Sequence, residues 1–223
     1  MQVREITYLS IAVRIFCAFL MGGIIGMERG MKNRPAGLRT YMLVTVGSCM
    51  IMVTNQYIYQ VFGTGDPVRM GAQVVSGIGF LGAGTIVVTQ HNQIKGLTTA
   101  AGLWAAAAVG LAIGIGFYEV AVMGGGCIFM ILTILHWWDN KMHNNSKVVE
   151  VYVELSNSIS LGSFVRQVRE QDTKIENIQL DPYKAVDGGR SFTATLKLKQ
   201  KRNHTEGLAA VEQIEGVLCL EVL

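Results

Sequence analysis

Five stretches of the chain stay apolar for long enough to cross a bilayer, and beyond them the pattern shortens abruptly. Residues 6–27, 40–62, 71–89, 97–116 and 117–138 each read as a transmembrane helix, at about 20 mostly apolar residues per crossing. A basic loop (28–39), a short turn (63–70), a polar turn (90–96) and a tight turn near Phe117 separate them. Gly114 and Gly116 are the punctuation between the last two stretches, which otherwise form one long apolar run. After Trp138 the periods are those of a water-facing domain. Alternation predicts strands at 148–155, 175–180, 192–198 and 217–222, the third after an Asp187-Gly188-Gly189 turn. Helical spacing predicts helices at 161–168, with Ser160 as cap, and at 205–214. The order βαββαβ predicts an α+β ferredoxin-like domain with its helices on one face of an antiparallel sheet. The expected organisation is an all-α membrane domain of five transmembrane helices (1–138), a linker (139–147) and a cytosolic domain (148–223).

Composition sharpens that division. Half of the 223 residues are hydrophobic and 16% are charged. Residues 1–138 hold four acids (Glu5, Glu28, Asp66, Glu119) and eight lysines or arginines, while residues 139–223 hold twelve acids and eleven bases. A bilayer in front and water behind accounts for the split. The net charge of +3 therefore arises in the apolar part, where it is an orientation signal and not a nucleic-acid footprint. Arg29, Lys32, Arg34 and Arg39 lie in the first loop, Lys95 in the third, and Lys141 and Lys147 after the fifth stretch. Five crossings put all of these on one side, opposite Arg4 and Arg69. The basic side is cytoplasmic by rule, so the N-terminus is expected outside and the C-terminal domain inside the cell. The cysteines (Cys17, Cys49, Cys127, Cys219) form no C-x-x-C or Cys/His cluster, so neither a disulfide framework nor a zinc site is expected. No small-residue cleavage site follows the first stretch, which reads as a retained helix and not a signal peptide.

Lipid gives helices no hydrophobic reason to associate, so close backbone approach must hold them together. Gly102, Ala106, Gly110 and Gly114 recur every four residues as one smooth stripe, and Gly22 and Gly26 repeat the device in the first stretch. The third stretch carries Gly71, Gly77, Gly79, Gly82 and Gly84, for packing or for loosening the helix around a cavity. Gly37-Leu38-Arg39-Thr40 and Gly96-Leu97-Thr98-Thr99 open the second and fourth stretches alike. This weak parallel repeat predicts two hairpins packed as pseudo-twofold mates.

Ionisable groups at membrane depth are the candidates for function. Arg14, about a third of the way into the first stretch, either snorkels outward or joins a structural pair, with Asp66 or Glu119 as the expected partner. Glu28 and Arg29 stand at the inner interface, and Arg34 and Arg39 flank a Pro-Ala-Gly turn that suits a phosphate, a lipid headgroup or a partner carboxylate. Asp66 and Arg69 belong to the outer turn, with Gln73 just beyond. Asn92 and Gln93 in the inner turn are polar enough to meet a partner. The histidines (His91, His136, His143, His204) are scattered, and no phosphate-binding loop is present, so no enzyme is expected.

Four segments taken together closely resemble the MgtC/SapB family of bacterial membrane proteins. They are GGIIGMERG at 22–30, RPAGLRT at 34–40, AQVVSGIGFLGAGTI at 72–86 and KGLTTAAGLWAAAAVGLAIGIG at 95–116. The βαββαβ tail is similar to the ACT-like domain of longer members. The resemblance implies an inner-membrane protein tied to growth in low magnesium and, in pathogens, to virulence. It points to Glu28, Arg29, Gly37, Arg39 and Thr40, to Asp66, Arg69, Gln73 and Gly79, and to Gly96, Thr98 and Trp104. Members are often labelled magnesium transporters, whereas the best-studied one resembles a regulator that restrains the membrane sector of the F-type ATP synthase.

Two functions follow as expectations. One is a regulatory adaptor that binds another membrane protein through its small-residue stripes, with the tail sensing a ligand or forming a homo-oligomer. The other is a transporter of magnesium or another cation, without any resident cofactor. Magnesium wants carboxylate or carbonyl oxygens, yet the acids sit near span ends and the charge clearly inside a span is positive. A third, blander reading is a structural subunit, which would associate at every magnesium level.

Overall fold

The computed structural model describes residues 6–32, 34–89, 93–135, 138, 148–171, 173–180, 190–198 and 204–222. The chain divides into two compact units, Met1–Trp137 and Trp138–Leu223. The linker 139–147, Asn92 and the Asp187-Gly188-Gly189 turn lie outside the described residues.

The first unit is built on α1 (Tyr8–Met31), α2 (Leu38–Phe62), α3 (Arg69–Ala83), α4 (Leu97–Gly114) and α5 (Tyr118–Met130), the last continued by a π-helical turn at Ile131–Leu135. Thr7 and Ser10 cap α1 reciprocally: Ser10 N donates to Thr7 Oγ1 at 3.2 Å and Thr7 N to Ser10 Oγ at 3.0 Å. Among the described residues, three helices are long and apolar enough to cross a membrane: Tyr8–Met31, Leu97–Gly114 and Tyr118–Leu135. α2 is as long as α1 but carries Thr45, Ser48, Asn55 and Gln56 among its buried residues. α3 has 15 residues, which at 1.5 Å each is about 22 Å against about 30 Å of hydrocarbon. The helix expected over 71–89 thus stops early. Past Gly82 and Gly84 the β-branched run Thr85–Thr89 favours an extended chain, and Val87–Val88 (β1) pairs antiparallel with Ile94–Lys95 (β2). Gly96 closes that hairpin at φ +98°, where a side chain would collide with the Thr85 carbonyl.

α2 lies between α1 and α4, and small residues seat it on both sides. A Cβ at Gly22 would lie 2.9 Å from Met42 Cα, and one at Gly26 2.9 Å from Leu38 Cα. From α4, Gly102 makes room for the Tyr41 hydroxyl, Ala106 is fully buried, and Gly110 rests on the Thr45 carbonyl. A Cβ at Gly114 would lie 2.7 Å from both Cys49 O and Met52 Cβ. We predict that Gly110→Ala loses about 1–3 kcal/mol of stability in detergent, because the carbonyl it strikes is backbone and cannot step aside. Gly124→Ala, where nothing stands within 4 Å, is the matched control and should melt no lower than the parent. Equal melting of the two variants would refute the packing role.

Gly79 departs from its expected packing role. A Cβ there meets nothing within 4 Å, because α3 turns Gly71, Ile78 and Gly82 inward and residue 79 lies about 100° around the helix from residue 78.

The second unit has the element order βαββαβ: β3 (Val148–Leu155), α6 (Leu161–Glu170), β4 (Thr173–Leu180), β5 (Arg190–Leu198), α7 (His204–Glu212) and β6 (Val217–Val222). Its antiparallel sheet runs β4-β5-β3-β6. Val149, Val151, Val153 and Leu155 alternate inward from central β3 and meet Phe192, Ala194 and Leu196 of β5. Phe164 and Val168 of α6 complete that core, with Phe164 edge-on to Phe192 at 5.6 Å. Ser160 caps α6 as expected, accepting from Ser163 N at 3.2 Å.

Candidate functional site

The helices of the first unit bury two polar clusters, one toward each end of the bundle. In the first, Arg14 is fully buried; its Nη1 donates to Gln56 Oε1 at 2.6 Å and to the Gly114 carbonyl at 2.8 Å. That carbonyl is available because of how α4 ends. Phe117 N donates to Ala112 O at 2.8 Å and Gly116 N to Ile113 O at 2.9 Å, a Schellman closure with Gly116 left-handed at φ +81°. The Gly114 carbonyl is left for an outside donor, which Arg14 supplies. The ion pair expected between Arg14 and Asp66 or Glu119 is replaced by these neutral acceptors. Asp66 Oδ1 instead accepts from Val68 N at 2.9 Å inside its own turn, and Glu119 sits exposed in the first turn of α5, where an acid suits the helix dipole. Asn55 Nδ2 donates to the Pro67 carbonyl and ties the turn to α2.

The second cluster is ionic. Glu28 and Arg29 are 4% and 3% exposed. Arg29 Nε meets Glu28 Oε2 at 2.7 Å, Lys32 Nζ meets Glu28 Oε1 at 2.6 Å, and Arg29 Nη2 donates to the Leu132 carbonyl at 3.2 Å. Leu132 lies in the π-helical turn that continues α5. One carboxylate between two cations leaves a net positive cluster whose oxygens are already engaged. Beside it on the α2 face the Tyr41 hydroxyl is buried, with no hydrogen-bond partner among the described residues.

The first loop folds against this cluster. Arg34 N donates to Arg29 O at 3.2 Å, and Gly37 brings the chain back so closely that a Cβ there would lie 3.5 Å from Gly30 Cα. Arg34, Arg39, Thr98, Arg69 and Gln73 are exposed, Thr40 is half-buried, and Thr99 rather than Thr98 faces inward. Gln93 engages Thr89 through its backbone, O accepting at 2.9 Å and N donating to Oγ1 at 3.3 Å. Sequence reasoning missed Gln56, Asn55, Tyr41 and the Leu132 carbonyl. The adjacent amides Asn55 and Gln56 were a visible signal, two polar side chains deep in an apolar run; the carbonyl had none. Among the described residues no three His, Cys, Asp or Glu side chains converge as a metal site would require.

Residues 15–141, which contain the whole ionic cluster, match the MgtC family. The chain belongs to the MgtC/SapB family. It is 31% identical over 207 residues to YhiD of Escherichia coli K12, whose name offers it as a candidate magnesium transporter, covering 91% of this chain and 96% of that protein. It is 30% identical over 223 residues to the protein SapB of Bacillus subtilis, covering 94% and 93%. It is 46% identical over 118 residues to the protein MgtC of Brucella abortus, covering 53% of this chain and 48% of that one. No solved structure matches. Within the MgtC/SapB segment GGIIGMERG, the two glycines that seat α2 and the Glu28–Arg29 pair thus occupy one continuous helical stretch.

Proposed function

We propose that the chain is a regulatory adaptor of the bacterial inner membrane that binds another membrane protein during adaptation to low magnesium, the membrane sector of the F-type ATP synthase being the candidate partner. The reading takes five crossings, the N-terminus outside, and the second unit as a cytoplasmic ferredoxin-like domain of the ACT-like kind that senses a ligand or dimerises. It assigns no catalytic role. The observation that carries it is the set of glycines the bundle does not use. Gly79 on α3 and Gly124 and Gly126 on α5 meet nothing within 4 Å, and Phe80, 84% exposed, stands beside Gly79. Such gaps beside large apolar side chains are what a second helix packs into.

Transport is the second reading, favoured by YhiD's name and by the chain break after α3, whose carbonyls could coordinate a cation. Against it, Glu28 is held by two cations and the buried charge nearer the other end is Arg14. The test measures magnesium flux into proteoliposomes beside a known magnesium channel, with Asp66→Asn alongside, and co-purification from cells grown in low and high magnesium. The adaptor reading expects no flux above empty vesicles and association only in low magnesium, lost in Gly79→Leu without a change in melting. Flux abolished by Asp66→Asn would establish the transporter. Association at every magnesium level would establish a structural subunit.

A further inference from the structure

A groove of about 690 Å³ runs between α2 and α3, floored by Gly47 and Gly77 and walled by apolar side chains such as Leu43, Ile51 and Leu81. A Cβ at either glycine would meet nothing within 4 Å, so the fold itself does not need them. One end of the groove is polar: Arg69 and Gln73, one helical turn apart, line it there. Both are exposed, and among the described residues no acid pairs with Arg69. Ser48, the other polar lining residue, donates to Val44 O at 2.7 Å within its own helix.

Arg69 lies below the end of α2. Asn55 holds Pro67, which sets the start of α3 level with residue 55, seven residues or about 10 Å short of the end of α2 at Phe62. An unpaired cation there requires an anion or an upward reach to the interface. From Arg69 to Leu81 the groove extends twelve residues, about 18 Å, close to the roughly 15 Å of hydrocarbon in one leaflet. A cation at one end, an apolar trough of leaflet length below it and no obstructing side chain in its floor match the polarity profile of a phospholipid.

We propose that this groove holds one anionic phospholipid of the leaflet facing the start of α3, its phosphate on Arg69 and an acyl chain laid over Gly47 and Gly77. The assignment is independent of the adaptor reading, whose helix-docking glycines lie elsewhere on α3 and on α5. Native mass spectrometry of the full chain, offered equal amounts of phosphatidylglycerol and phosphatidylethanolamine, tests it. The parent should retain one phosphatidylglycerol about fivefold in preference. Arg69→Gln should abolish the preference, and Gly77→Leu, which fills open space, should reduce retention of both lipids. Arg166→Gln removes an exposed cation from α6 of the second unit and should change neither. Equal retention of the two lipids by the parent overturns the proposal. So does a preference that survives Arg69→Gln or disappears in Arg166→Gln, or a co-purified polypeptide found in the groove in place of lipid.

Discussion

Glu28→Gln is expected to destabilise the protein by about 3–5 kcal/mol, because it removes the carboxylate from a buried cluster that keeps its two cations. The two cations are not equivalent. Lys32 has a side chain 34% exposed and can turn to water, whereas Arg29, at 4%, is fixed between Glu28 and the Leu132 carbonyl. The loss should therefore fall on Arg29, and Lys32→Met should cost less than about 1 kcal/mol. Glu28→Gln combined with Arg29→Met removes both members of the buried pair and should recover part of the loss, a departure from additivity that marks direct contact. Thermal unfolding of the parent, Glu28→Gln, Arg29→Met, Lys32→Met and the double variant in one detergent gives the comparison. A Glu28→Gln protein that melts with the parent would mean that Arg29 is satisfied by groups other than Glu28.

How legible this arrangement was depends on which interaction carried each part. The α4 stripe was legible because the four-residue recurrence of Gly102, Ala106, Gly110 and Gly114 is itself the contact surface: sequence period and packing are one fact. The tail was legible for a similar reason, since Val149, Val151, Val153 and Leu155 alternate in the sequence as they alternate in the sheet. The break between α4 and α5 was marked by Gly114 and Gly116, of which the second adopts the left-handed turn. What was not legible involves backbone atoms and long reach. Leu132 contributes a carbonyl, which any residue has and which leaves no mark in the sequence. Charge alone points Arg14 to an acid, but Asp66 is engaged in its own turn, and the amide at position 56 stands on the facing helix. Gly79 was grouped with packing glycines because α3 is glycine-rich on several faces, and composition does not say which face is inside.

Arg14→Met is expected to lower stability by about 3 kcal/mol, even though it replaces a charge by an apolar group inside the bundle. Removing a buried cation is by itself favourable in an apolar setting. The outcome is decided by what Arg14 leaves behind: the Gln56 carbonyl oxygen and the Gly114 carbonyl, each losing a charged donor in a closed interior, at about 1–3 kcal/mol apiece. Two orphaned acceptors outweigh one relieved desolvation. Gln56→Met in the same chain removes the first of them and should restore roughly half the loss, while the Gly114 carbonyl, a backbone atom, stays unsatisfied in both variants. Arg14→Lys should rescue part of the loss, because both acceptors meet one nitrogen, Nη1, at 2.6 and 2.8 Å, and an ammonium has donors for both but sits on a shorter stem. Melting temperatures of Arg14→Met, Arg14→Lys and the Arg14→Met/Gln56→Met pair measure each step. A more stable Arg14→Met would reverse the ordering of the two effects and show that the cation is retained against stability, as a charge held ready for something outside the bundle.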